Sequence, residues 1–250
     1  MKISILTGLG SLVFALSCSG DSVLSPFPAS PSSGSGLPFF PFTDAFPSVR
    51  YQQVYGAADF ARVGGPFLIT EIRFAGGVGA GARIDVNLPN VRIDFSTTSR
   101  NPDELSSVFA DNVGSDSRVV YSGPLHFYDR ALQRFDIRIP LPTPFVYDPH
   151  AGNLLMDVRN FQTVPFVDFP RPMEAANVVG DTVSRVYAAD VNSASATGID
   201  TVGLLTHFEV IQVPEPSQWA LSLLGIAAAI VGARTIQRRS PWSFRVLKDQ

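Results

Sequence analysis

Asp111-Asn112-Val113-Gly114-Ser115-Asp116 places three oxygen-bearing side chains, Asp111, Asn112 and Asp116, within six residues. Calcium takes about six to eight oxygen ligands, and backbone carbonyls could complete such a shell. The spacing is not that of an EF-hand, and Asp, Asn and Gly also build plain hydrogen-bonded turns. Both outcomes stand open, a calcium site or a turn. Asp148-Pro149-His150-Ala151-Gly152-Asn153 reads most simply as a turn leading into a strand. His126, His150 and His207 share no zinc-type spacing, and no HExxH, GxSxG, P-loop or dinucleotide fingerprint occurs. Cys18 is the only cysteine, so the chain can form no internal disulfide and its body holds no thiol nucleophile. A carboxylate pair for glycoside hydrolysis would depend on a separation that only the fold sets, and no pair stands out. The expectation is a protein that is not an enzyme and carries no obligatory cofactor. Sugar stacking on exposed rings is the other chemistry at hand. All six tyrosines (Tyr51, Tyr55, Tyr121, Tyr128, Tyr147 and Tyr187) lie in the body, whereas Trp219 and Trp242 lie near the C-terminus.

The 250 residues carry 22 acidic and 19 basic groups, a net charge of −3. Residues 21–213 are more acidic, with twenty acids against thirteen arginines and no lysine. An acidic balance with arginines spread singly excludes a nucleic-acid footprint. Once the terminal segments are set aside, enough chain remains for one domain with a real core.

The elements that must position any site read as strands. Candidates are Tyr51–Tyr55, Phe67–Phe74, Arg83–Leu88, Val91–Thr97, Arg118–Tyr121, Arg134–Pro140, Leu154–Asn160, Val183–Ala188 and Gly203–Val213. Phe135, Ile137 and Ile139 alternate with Asp136 and Arg138, which gives one buried and one wet face. Ile84, Val86 and Leu88 alternate, and Val91, Ile93 and Phe95 resume on the opposite parity. Pro89-Asn90 must therefore carry a bulge or turn that resets the register. A helical turn is expected at Asn101-Pro102-Asp103-Glu104-Leu105, with Asn101 as N-cap and Pro102 at the first helical position. The pattern predicts an all-β fold, an antiparallel β-sandwich of jelly-roll type over residues 48–212. Residues 21–47, rich in Ser, Pro and Gly, read as a linker that buries too little to offset its chain entropy. Within it, Leu37-Pro38-Phe39-Phe40-Pro41-Phe42 is apolar enough to dock back on the domain.

Both ends of the chain are apolar. Met1-Lys2 precedes the apolar stretch Ile3 to Leu16, and Ala15-Leu16-Ser17 offers small residues for a signal peptidase, so residues 1–20 read as an export signal. Ala15-Leu16-Ser17-Cys18 also resembles a lipobox, which would make Cys18 an acylation site; the alternative is a cysteine left at the edge of a discarded signal. At the other end, Ser217 to Ala233 contains no charged residue. As a helix it would span about 25 Å, and extension to Ile236 with Arg234 reaching back to the interface approaches the hydrocarbon thickness of about 30 Å. A transmembrane helix over 217–236 is expected, with Arg234 in its last turn and Arg238 and Arg239 just beyond it, and this basic cluster should stay on the cytoplasmic side.

Val213-Pro214-Glu215-Pro216-Ser217-Gln218-Trp219, the apolar run and the arginine cluster together resemble the PEP-CTERM sorting signal. That resemblance implies residues 213–250 are a sorting signal, with Pro214, Glu215 and Pro216 as the motif read by exosortase. It implies an exported protein, held transiently in the inner membrane and then placed at the cell surface or in an exopolysaccharide matrix. The body resembles a group of PEP-CTERM ectodomains through Arg50-Tyr51-Gln52-Gln53-Val54-Tyr55, Phe95-Ser96-Thr97-Thr98, Phe109-Ala110-Asp111-Asn112-Val113-Gly114, Pro144-Phe145-Val146-Tyr147-Asp148-Pro149 and Gly152-Asn153-Leu154-Leu155-Met156-Asp157-Val158. This second likeness implies fold and destination and carries no activity. The expected function is a structural protein of the surface or matrix; the alternative is a carbohydrate-binding sandwich.

Overall fold

The structure, a computed structural model, describes residues 20–27, 41–42, 48–76, 84–129, 135–162 and 173–213. Twelve strands are seen among them: β1 (Gly20–Ser25), β2 (Val49–Tyr55), β3 (Phe67–Phe74), β4 (Ile84–Thr98), β5 (Arg118–Asp129), β6 (Ile137–Tyr147), β7 (Asn153–Asn160), β8 (Ala175–Asn177), β9 (Val183–Ala188), β10 (Gly198–Asp200), β11 (Val202–Leu204) and β12 (Thr206–Gln212). A four-stranded sheet runs β1-β12-β3-β6, and a six-stranded sheet runs β10-β9-β2-β7-β4-β5. β8 and β11 form a two-stranded ribbon. Every pairing is antiparallel, so the described domain is all-β as its alternation predicts.

The inner faces of the two large sheets share one core. Tyr55 of β2 meets Phe208 of β12 edge-on at 5.0 Å, and Phe95 of β4 meets Phe145 of β6 at 5.8 Å. Phe60, on the short 3-10 helix Ala57–Val63, lies 5.1 Å from Tyr147 and 5.3 Å from Phe208, so it closes one end of the core. Such edge-to-face pairs add about 0.5–1.5 kcal/mol each beyond the area they bury.

β3 and β9 occupy the expected residues, and Ile137 and Ile139 are buried while Asp136 and Arg138 face water. The two segments on either side of Pro89-Asn90 form one long strand, β4, whose register to β5 shifts between Leu88 and Val91. The parity break in the sequence is thus a bulge inside a continuous strand. β6 runs past Pro140 through Pro142 and Pro144 to Tyr147. Proline is tolerated there because β6 is an edge strand, where missing N–H groups leave no ladder position empty.

Three expectations are corrected. First, the linker 21–47 does not begin at residue 21: Gly20–Ser25 is a strand, and a domain boundary at 48 leaves it out. Asp21-Ser22-Val23-Leu24-Ser25 has one fully buried apolar side chain, Val23, too little for a periodic signal. Its pairing comes from β12 at the other end of the domain. Phe42 does dock on the core, 5.2 Å from Phe74. Second, Asn101–Leu105 is a turn rather than a helical turn. Glu104 N–H bonds Asn101 O at 3.1 Å, and Asp103 has φ of 63°. Pro at the second position followed by a left-handed residue is the geometry of a type II turn, which Asp tolerates. Third, Gly203–Val213 divides at Leu205 into β11 and β12.

The expected span 217–236, the motif Pro214-Glu215-Pro216, the arginines Arg234, Arg238 and Arg239, and Cys18 lie outside the described residues. Among the described residues no helix is long and apolar enough to cross a membrane. The strand-built unit ends at Gln212.

Candidate functional site

The loop carrying Asp111, Asn112 and Asp116 crosses the outer face of the six-stranded sheet. Its 3-10 turn, Phe109–Asn112, and Leu105 cover Val54, Leu155, Val186 and Ala188, forming a second, smaller core. Asn112 is buried: its Oδ1 accepts from Ser106 N–H at 2.8 Å, and its Nδ2 donates to Gln52 Oε1 and to Ser106 O, both at 2.9 Å. Asp111 Oδ2 accepts from the Ser106 hydroxyl at 3.0 Å, and Asp116 Oδ1 accepts from Thr97 N–H at 2.8 Å. Asp111 and Asn112 thus both serve Ser106, whereas Asp116 serves β4. Gly114 sits against β4 so closely that a Cβ would lie 1.7 Å from Thr97 O, so this approach requires glycine. His126 pairs with Asp85, His150 with Asp148, and His207 lies 3.7 Å from Glu209. Among the described residues no group of three His, Cys, Asp or Glu is placed to hold a metal ion. Of the tyrosines, Tyr51, Tyr55 and Tyr147 are fully buried and cannot be stacking platforms, while Tyr121, Tyr128 and Tyr187 are half-buried.

Charged groups gather on that outer face, some beneath the covering loop and some partly exposed beside it. β2, β7 and β4 are neighbours, and their register sets Arg50 opposite Arg159 and Arg159 opposite Arg92. Three arginines therefore stand abreast on adjacent strands. One step along, Gln52, Asp157 and Asp94 form the next rank. Alternation puts both ranks on the outer face, because the intervening Tyr51, Val158 and Ile93 fill the main core.

The three guanidiniums are held very differently. Arg92 is clamped by Asp94 through two bonds of 2.7 Å. Arg50 donates to Asp157 Oδ2 and to Ser193 O, both at 3.1 Å, and its guanidinium lies 4.4 Å over the Phe109 ring. Gln52 also donates to Asp157 Oδ2, at 2.8 Å, and to Phe109 O, so the rank is tied to the covering loop. Arg159, in the middle, has only a 3.9 Å approach of its Nε to Asp157 Oδ1. Nε of Arg50, Nε of Arg159 and Oδ1 of Asp157 are buried without a hydrogen-bond partner. Like charges directly opposite across strands are destabilising. Two carboxylates answer three arginines, so the cluster keeps one net positive charge.

A second polar network lies inside. Gln53 of β2 accepts from Leu204 N–H at 2.8 Å and donates to Leu204 O at 2.9 Å, which ties the β8–β11 ribbon to the large sheet. Beside it, the buried Arg185 grips Asp200 through bonds of 2.8 and 3.0 Å. Burial raises the Tyr51 hydroxyl well above its ordinary pKa, so that group stays neutral and donates to Gln53. Every member is bonded, and this network does structural work.

The alternation of Val91, Ile93 and Phe95 leaves Arg92 on the other face, but nothing in the sequence sets Arg50, Arg92 and Arg159 side by side. The local signal is the spacing Arg92-Ile93-Asp94 and Asp157-Val158-Arg159, which places opposite charges on one face of each strand. No protein-family model, no curated protein and no solved structure matches this chain.

Proposed function

We propose that the chain is an exported structural protein of the cell surface or exopolysaccharide matrix, sorted and processed by an exosortase, with a body that is a β-sandwich of jelly-roll type. The observation that carries this is the order Pro214-Glu215-Pro216, uncharged run, Arg234, Arg238, Arg239, set directly after the last strand of the domain. The uncharged run fits a membrane helix over 217–236, and its one-sided arginines fit a cytoplasmic tail. Two antiparallel sheets around one aromatic core support the sandwich, and its binding and structural surfaces need no cofactor. The apolar N-terminal segment ahead of β1 serves as the export signal, and Cys18 at its end is the acylation candidate.

Alkaline-phosphatase fusions test the topology. A fusion after about residue 205 is active and one at residue 250 is inactive; activity at 250 with none at 205 contradicts the proposal. A carbohydrate-binding role is the second reading, favoured by the partly exposed Arg159 and Arg92 on the outer face of the six-stranded sheet.

A further inference from the structure

We infer that the rank Arg50–Arg159–Arg92 is a binding site for the carboxylates of an acidic, uronate-type polysaccharide, with Arg159 as the contacting residue. This names the polymer class for the matrix role proposed above and rests on that role.

The inference starts from a cost. Three arginines abreast on β2, β7 and β4 repel one another at a strand separation of about 4.8 Å. The fold answers two of them, through Asp94 on Arg92 and Asp157 on Arg50. It leaves the central one with a long 3.9 Å ion pair, and its terminal nitrogens have no hydrogen-bond partner among the described residues. A purely structural face would place a neutral or acidic residue at that point. Departures from local consistency of this kind concentrate at functional positions.

The charge balance selects the ligand. Three arginines and two aspartates leave one positive charge, which one carboxylate neutralises. A polyphosphate packs its charges more closely along the chain than a uronate with one carboxylate per sugar, which would leave excess negative charge facing Asp94 and Asp157. The planar guanidinium fork of Arg159 fits a carboxylate through two parallel bonds. Neighbouring groups fit a sugar. Arg50 is braced on Phe109 and is already oriented. Ser122 of β5, opposite Arg92, is exposed and offers a hydroxyl. Phe161 is half-buried, and its N–H bonds Asn90 O at 2.9 Å, so extended pairing runs past the end of β7. Period two then places the Phe161 ring on the same side as Arg159, where a sugar face can stack. Arg159 and Arg92 are partly exposed while Arg50 is nearly buried beneath Phe109, so a polymer meets the rank at Arg159 and Arg92.

The test is a calorimetric titration of the detergent-solubilised full chain with polygalacturonate at low salt, with uncharged dextran and polyphosphate run in parallel. Polygalacturonate should bind, dextran should not, and polyphosphate should bind more weakly. Arg159→Gln should weaken polygalacturonate at least tenfold, and Arg159→Lys, which keeps the charge but loses the fork, by a smaller factor. Arg62→Gln, on an exposed arginine near Asp21, should change nothing. Arg159→Gln should also melt at or above the wild-type temperature, since it relieves repulsion. No binding of polygalacturonate, equal binding by Arg159→Gln, tighter binding of polyphosphate, or a clearly lower melting temperature for both Arg159 variants would overturn the assignment. These titrations report nothing on export, so the matrix role fails separately, on the topology and processing of the chain.

Discussion

Gly20, the first residue of β1, lies opposite Ile211, the next-to-last residue of β12, so the chain enters and leaves the domain at one place. The strand between is short, yet Val23 is fully buried and Ser25 donates to the buried carboxylate of Asp59, which also accepts from Thr182 at 2.6 Å. Truncating Val23→Ala should cost about 1.5–3 kcal/mol, the worth of burying that side chain. Deleting residues 20–25 should cost more, since Asp59 then loses a donor and β12 becomes an edge. Urea melts of both variants check this; wild-type stability in the deletion would mean that β1 is dispensable.

The alternation in β6 makes a paired prediction. Ile137→Ala should cost about 2–5 kcal/mol, because the substitution leaves a cavity in the shared core. Arg138→Ala loses only a half-exposed pair to Glu71 at 3.4 Å and should cost under about 1 kcal/mol. Equal losses in urea melts would mean that the face assignment is wrong.

In the covering loop, Asn112→Ala would strand the buried Gln52 Oε1 and the Ser106 N–H. The expected loss is about 1–3 kcal/mol, read by thermal or urea unfolding. Because Asp111 and Asn112 are taken up by Ser106 and Asp116 by Thr97 N–H, millimolar calcium should leave the melting temperature unchanged. A chelator-reversible rise that disappears in Asp116→Ala would establish a calcium site instead.

His207 supplies a pH dependence. Burial lowers its pKa from 6.5, with Glu209 opposing and Arg73 and Arg62 adding to the shift; Glu71 and the Phe135 ring, 5.3 Å away, complete its surroundings. The unfolded chain therefore binds the proton more readily than the native one, so stability is retained above 6.5 and declines as pH falls through 6.5 toward the lowered value. His207→Gln should flatten that decline in melts at pH 7.5, 6.5 and 5.5. An unchanged slope would show that another group titrates.

What was legible in the sequence follows from the range of each signal. β3 is mostly apolar and β9 is rich in β-branched and aromatic residues within its own length, and the parity change across Pro89-Asn90 marks the bulge in β4. β1 was hidden because its stability comes from β12, not from its own six residues. The sequence pattern for β6 stops at Pro140 while the strand runs on, since edge position, which makes proline harmless, is a property of the sheet. The arginine rank was invisible for the same reason. Arg50, Arg92 and Arg159 are spread along the chain and meet only through the registers of β2, β7 and β4. Asp103 shows the converse: its local context reads as a helix start, yet bonds to Ser184 and Gly180 support a left-handed turn.

Mass spectrometry of the mature protein recovered from the surface of an exosortase-positive strain tests the central claim most directly. Loss of the C-terminal segment beyond the Pro214-Glu215-Pro216 region, restored in part by Glu215→Ala, is the predicted result. Recovery of peptides containing Trp242 and the terminal Gln250 from the wild-type surface protein would contradict it.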